Sequence, residues 1–95
     1  MIIQVVKIKS GLSDAEVARV MKERAPQFRA LPGLVQKYYG YEKNTGEFTG
    51  IYLWDTEESI SDFRQSELAQ TIPAAYEAQG SPRIEFFEVL FQLRE

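Results

Sequence analysis

The stretch from Leu31 to Glu58, LPGLVQKYYGYEKNTGEFTGIYLWDTEE, constrains the fold most, because it reads as a β-hairpin whose turn is marked in the sequence. Asn44 and Thr45 suit the opening turn positions, and Gly46 tolerates the left-handed conformation that closes a hairpin with a bulge. With Asn44-Thr45-Gly46 as the turn, Lys43 falls opposite Glu47, Tyr38 opposite Tyr52 and Gln36 opposite Trp54. Period-2 alternation then gathers Gln36, Tyr38, Gly40, Phe48, Gly50, Tyr52 and Trp54 on one side and leaves Val35, Lys37, Tyr39, Tyr41, Thr49, Ile51 and Leu53 on the other. One side is expected to pack on helices. The other, mixing Gln, Tyr and Trp, is expected to line a small-molecule pocket.

The flanking segments complete an alternation of elements. Ile2 to Lys9 is short and β-branched, and Gly11 ends it as a strand. Ser13-Asp14-Ala15-Glu16 is a capping box, with Leu12 and Val17 placed as a hydrophobic staple. The helix it opens has Val17, Val20, Met21, Arg24 or Ala25, and Phe28 on its inward line. Pro26 lacks a backbone donor, which predicts a kink or a fresh start there. After the hairpin, Asp55 to Glu58 reads as a second capping box, and Ile60 and Phe63 mark the inward face of a second helix. Ser66 can cap a further turn, Pro73 suits the start of a short helix from Ala74 to Gln79, and Gly80-Ser81-Pro82 breaks it. Ile84 to Leu93 is the most strand-like segment of all, with Phe87, Val89, Phe91 and Leu93 on one face and Ile84, Phe86, Glu88, Leu90 and Gln92 on the other.

The order βαββαβ over residues 1–95 predicts a single α+β domain: a ferredoxin-like sandwich with one four-stranded antiparallel sheet and both helices on one of its faces. The other face then needs a cover, because neither side of the first or last strand is polar. No helix is left over, so the expected cover is a second copy of the chain. Such a homodimer, packed sheet against sheet, should bury on the order of 2,000 Å² or more in total.

Composition removes several classes of function. A net charge of −3 with dispersed Lys and Arg offers no basic stripe for nucleic acid. No segment is apolar enough to enter a membrane. The start, MIIQVVKIK, reads as a strand and not as a leader, which makes a cytoplasmic location the expectation. Without cysteine there is no disulfide, thiolate nucleophile or zinc-thiolate site, and without histidine the commonest general base and metal ligand are missing. No metal site is therefore expected. Carboxylates, Lys, Tyr and Arg remain for any chemistry.

Within that inventory, Tyr38 and Tyr52 form an expected cross-strand pair whose hydroxyls can hold a carbonyl or phenolate; as an aromatic pair alone they stabilise the hairpin by roughly 0.2–1 kcal/mol. Glu88 is a carboxylate in the middle of the most apolar strand. It is the general-base candidate if it faces a dry pocket, and an ion-pair partner of Lys7, Lys37 or an arginine otherwise. Lys37 lies among apolar neighbours, where a cation needs a partner or a route to water. Gln36 and Gln4 read as polar liners, Arg24 and Arg64 as anion-steering or solvated residues. Gly40 and Gly50 leave a bare patch of sheet where a ligand can approach or a strand can bend.

Specific residues also carry a family resemblance. Pro32-Gly33-Leu34-Val35 with Lys37, then Glu42-Lys43-Asn44, Gly50-Ile51-Tyr52-Leu53-Trp54 and the acidic helix start beyond resemble the YdhR-like monooxygenases, relatives of the antibiotic-biosynthesis monooxygenases in the dimeric α+β barrel superfamily. The resemblance implies two ferredoxin-like subunits joined through their open sheets, each with its own pocket. It also implies a cofactor-independent oxidation by dioxygen of a phenolic, quinol or polyketide-like aromatic substrate. Trp54 matches the aromatic that ends the third strand and lines the pocket in the resembling families, and Lys37 matches a lysine of their pattern. The expected site thus has Glu88, Tyr52 and Lys37 as catalytic residues and Gln36, Tyr38, Gly50 and Trp54 as substrate-binding ones. Haem-degrading relatives bind iron through a histidine, which this chain lacks. Two other functions fit the same scaffold: a dimeric barrel that only binds a small apolar ligand, and an isomerase of a lactone or cyclic ketone.

Overall fold

The computed structural model describes residues 1–94, in which local signals and long-range pairing together set the elements. The order is β1 (Ile2–Ser10), α1 (Asp14–Arg29), β2 (Leu34–Glu42), β3 (Glu47–Trp54), α2 (Glu57–Gln65), α3 (Glu67–Gln70), α4 (Ile72–Ala75) and β4 (Ala78–Glu88). The strands form one antiparallel sheet in the order β2-β3-β1-β4, the ferredoxin-like arrangement. One sheet face is covered by helices and the other is bare.

The capping box at α1 is complete: the Glu16 N–H donates to Ser13 Oγ at 3.2 Å, and the Ser13 N–H donates to Glu16 Oε1 at 3.0 Å. Val17, Val20 and Phe28 are buried as the spacing predicts. Pro26 does not restart the helix but lies inside its last turn, close to the buried Phe28. At α2 the cap is Thr56, not Asp55, and its Oγ1 accepts from the Ser59 N–H at 3.2 Å. Ser66 caps α3 as expected. The expected helix from Ala74 to Gln79 is replaced by α4, because Ala78 and Gln79 already pair with Ser10 and Lys9 in the sheet.

Two expectations about the sheet are corrected. The hairpin loop has four residues, Lys43 to Gly46, with the Gly46 N–H bonded to the Glu42 carbonyl at 2.8 Å and Glu42 opposite Glu47. Lys37 therefore lies opposite Tyr52, and Tyr38 opposite Ile51. This single step reverses the face of every β2 residue relative to β3. Gln36 and Tyr38 consequently part from Tyr52 and Trp54, Gly40 parts from Gly50, and Lys37 and Tyr39 turn inward. The last strand begins six residues earlier than the sequence suggests and stops at Glu88, because β1 sets its partners and ends at Ile2, opposite Glu88. Gly80-Ser81-Pro82 is absorbed as an irregularity opposite β1, with Gly80 at φ +75°. Leu90, Phe91 and Leu93 run on past the sheet and are 90%, 79% and 85% exposed.

The core on the covered face has two parts. Phe28, Tyr52, Trp54, Ile60 and Phe63 form an aromatic-rich cluster, while Ile8, Val17, Val20 and Tyr76 form a second one, with Val6 and Ile72 touching both. Gly33, at φ +81°, allows β2 to start tight against Ser59 and Asp55 of the α2 entrance, where any Cβ would collide.

Candidate active site

The gap between these two clusters is a cleft. Its walls are Val6 and Ile8 of β1, Met21 and Phe28 of α1, Lys37 and Tyr39 of β2, Phe48, Gly50 and Tyr52 of β3, and Ile72 and Tyr76 from the α4 segment. It leaves about 30 Å³ of room, the space of roughly one water molecule, and opens toward solvent. Phe28, Lys37 and Tyr39 also line an outer vestibule of about 210 Å³ with Ala25, Arg29, Leu34, Val35 and Gln36. These three side chains thus stand between the cleft and the outside.

Lys37 is the central feature. Strand alternation on β2 aims it at the covered face, and its Nζ sits 3.5 Å from the ring centre of Phe28, 4.3 Å from that of Tyr39 and 4.6 Å from that of Tyr52. No carboxylate pairs with it among the described residues. Ring faces attract an ammonium but replace only part of its hydration. Burial, with the Arg24 guanidinium adding repulsion, brings the amine down from 10.5 to about 7. At neutral pH much of it is a free base. Gly50 makes this possible: a Cβ there would lie 2.9 Å from Tyr52 Cε1 and 3.4 Å from Lys37 Cε.

The phenols around it are held in their neutral, proton-donating form. Burial raises Tyr52 far above the ordinary value, aided by Tyr39 and Tyr76, and burial raises Tyr76 to about 12. Tyr39 is also raised by burial, opposed by Arg29 and Arg24. Arg24 itself is a strap: its guanidinium donates to the Leu68 carbonyl at 2.7 Å and to Thr71 Oγ1 at 3.1 Å, tying α1 to α3 and α4.

The expected site residues divide. Lys37, Tyr52 and Gly50 meet at the cleft. Trp54 is fully buried beneath it, stacked with Tyr52 at 5.9 Å and 5°, and donates from Nε1 to Gln4 Oε1 at 2.9 Å. Gln4 is therefore the buried partner of an indole and not a pocket liner. Gln36 lies at the vestibule, its Oε1 accepting from the Lys37 N–H. Tyr38 is on the bare face and 63% exposed. Glu88 is exposed at the end of the edge strand β4 and does not reach the cleft. Arg64 lies across Phe86 on the outer surface, 5.4 Å from the ring centre. Phe28, Tyr39 and Tyr76 join the site without having been singled out for it. Phe28 was visible only as a core position of α1, and Tyr76 follows the segment where helical periodicity fades.

An antiparallel α+β sandwich with an amine-bearing aromatic cleft between sheet and helices defines the class. Within it, the chain belongs to the family described as "Putative mono-oxygenase ydhR", which matches residues 2–93. No curated protein sequence matches the chain. Solved structures share the fold at low identity. The chain is similar to a "putative antibiotic biosynthesis monooxygenase" from Caulobacter crescentus, with a TM-score of 0.79, 19% identity and coverage of 95% of this chain and 90% of that one. It is likewise similar to SnoaB, a cofactor-independent oxygenase from Streptomyces nogalater, with a TM-score of 0.77, 16% identity and coverage of 99% and 97%. A further "putative antibiotic biosynthesis monooxygenase", from Deinococcus radiodurans, gives 0.78 and 13% over 100% of this chain and 98% of that one.

Proposed function

We propose that this protein is a cofactor-independent monooxygenase in which Lys37 deprotonates a phenolic, quinol or anthrone-like substrate held in the vestibule at the mouth of the cleft, and that it works as a homodimer joined through the bare sheet faces. The observation that carries the reading is Lys37, an amine at about 7 among aromatic rings with no carboxylate partner. A base of that strength suits a substrate whose anion is itself a reductant. Dioxygen accepts one electron at a time, so the anion must supply the first electron and then combine with the superoxide formed. In an anthrone, Lys37 takes one C–H proton, oxygen bonds at that carbon, and loss of water with the second hydrogen leaves the quinone carbonyl. The neutral phenols of Tyr39 and Tyr52 are the donors that can stabilise the developing oxyanion, in a water-poor site where such bonds are strong.

The role first expected of Glu88 passes to Lys37 in this reading, and Tyr38 leaves the site for the dimer face. Support for that dimer comes from the bare face itself, where Ile3, Val5, Ile51, Leu53, Tyr38 and Phe87 form an apolar field on one sheet surface. The Lys7–Glu42 and Arg83–Glu47 ion pairs border it. Oxygen uptake with a panel of anthrones and quinols after metal chelation tests the activity. Uptake that depends on Lys37 supports the reading, and no uptake across the panel favours a binding protein.

A further inference from the structure

We propose that Lys37 is also a covalent carbonyl-binding site: its Nζ condenses with the aldehyde or ketone of an aromatic ligand seated in the vestibule to give an imine. This goes beyond the oxygenase reading, since it needs no dioxygen. Three observations support it. The amine ends among aromatic rings, within 3.5–4.6 Å of three ring centres that shield it from water. It borders both the cleft and the vestibule, so a ligand in the vestibule lies beside it. No ion pair occupies it among the described residues, which leaves its lone pair free to attack whenever the proton is absent.

The chemistry closes with the groups present. The nitrogen lone pair attacks the carbonyl carbon, the C–N bond forms, and the carbonyl oxygen takes up a proton, for which the Tyr39 and Tyr52 hydroxyls are the donors at hand. The carbinolamine then loses its hydroxyl with a second proton as water, and the nitrogen sheds its remaining proton to give the neutral imine. A desolvated lysine beside a second cation is a recognised way to make such a nucleophile. The titratable and charged groups facing Lys37 are Arg24 and, across the vestibule, Arg29 from α1, Tyr39 on its own strand, Tyr52 on β3 and Tyr76 across the cleft. Arg24 opposes its protonation, and the phenols stay neutral over the working range.

The test uses the full chain under anaerobic conditions with 2-hydroxybenzaldehyde and cyanoborohydride, which reduces an imine to a stable secondary amine. Peptide mass mapping then locates the adduct. At pH 7 the expected result is one adduct per chain on Lys37, formed roughly tenfold or more faster than on Lys7, Lys9, Lys22 or Lys43. Lys37→Arg, which keeps the cation but cannot condense, should lose the adduct. Adducts spread over the other amines with Lys37 unmodified, or unchanged labelling of the Lys37→Arg protein, would overturn the proposal. Oxygen uptake without trapping at Lys37 refutes this inference and spares the oxygenase. Trapping without oxygen uptake does the reverse.

Discussion

The two faces of the sheet are made by the same strands and differ in what covers them. On β3, Tyr52 and Trp54 point toward the helices and are 3% and 0% exposed, while their alternate neighbour Ile51 points the other way and is 39% exposed. Both faces are largely apolar, and each carries a lysine in different company. A lysine on the bare face, such as Lys7, reaches Glu42 at 3.8 Å. Lys37 on the covered face reaches only rings, and its basicity falls. The same residue type becomes an ordinary salt-bridge partner on one side and a neutral-pH base on the other, because water and carboxylates are within reach on only one of them.

The sharpest way to break this contrast is to charge the bare face. Ile51→Asp should convert the proposed homodimer wholly to monomer at micromolar concentration, as measured by light scattering, because a two-fold relation between copies would bury a carboxylate from each. A dimer that survives this change would place the interface elsewhere. On the covered face, Lys37→Met should lower turnover by about 100-fold or more, the usual effect of removing a general base. It should also abolish the rise in kcat/KM through about pH 7, where the wild-type amine loses its proton. A variant as active as the wild type would remove Lys37 from the reaction.

Lys37 should also leave a mark on stability. Between about pH 7 and the ordinary lysine value of 10.5, the unfolded chain keeps a proton on this amine that the folded chain has released. Stability therefore rises with pH across the lower part of that window, until the raised tyrosines begin to favour the unfolded state near pH 10. Thermal melts from pH 7 to 9.5 should show the rise in wild type and a flatter curve in Lys37→Met. Equal slopes would mean that the amine is solvated.

Trp54→Phe should cost about 1–3 kcal/mol in urea unfolding by stranding Gln4 Oε1, with part recovered when Gln4→Leu is added. Additive losses would show that the bond between them matters little. The smallest effect is expected for Tyr38→Phe, which should change turnover by less than about twofold, because its hydroxyl lies on the opposite face from the cleft. A large loss would mean that Tyr38 reaches a site completed by the second subunit.

The sequence by itself determined the element order, the cap of α1, the buried line Val17, Val20 and Phe28, and from these the ferredoxin-like class. All depend on residues near one another in the chain, where spacing and capping chemistry act directly. It also carried Lys37, Tyr52 and Gly50 as site candidates. It did not decide which residues share a face, because one extra residue in the turn reverses β2 against β3 with no change in the pattern of either strand. Nor did it decide where β4 ends, since both faces of that segment are apolar and only the length of β1 limits the pairing. The low basicity of Lys37 depends on Phe28, Tyr52 and Arg24, which come from two other elements. Its water is removed by packing between those elements, so only the tertiary structure makes this amine a base at neutral pH.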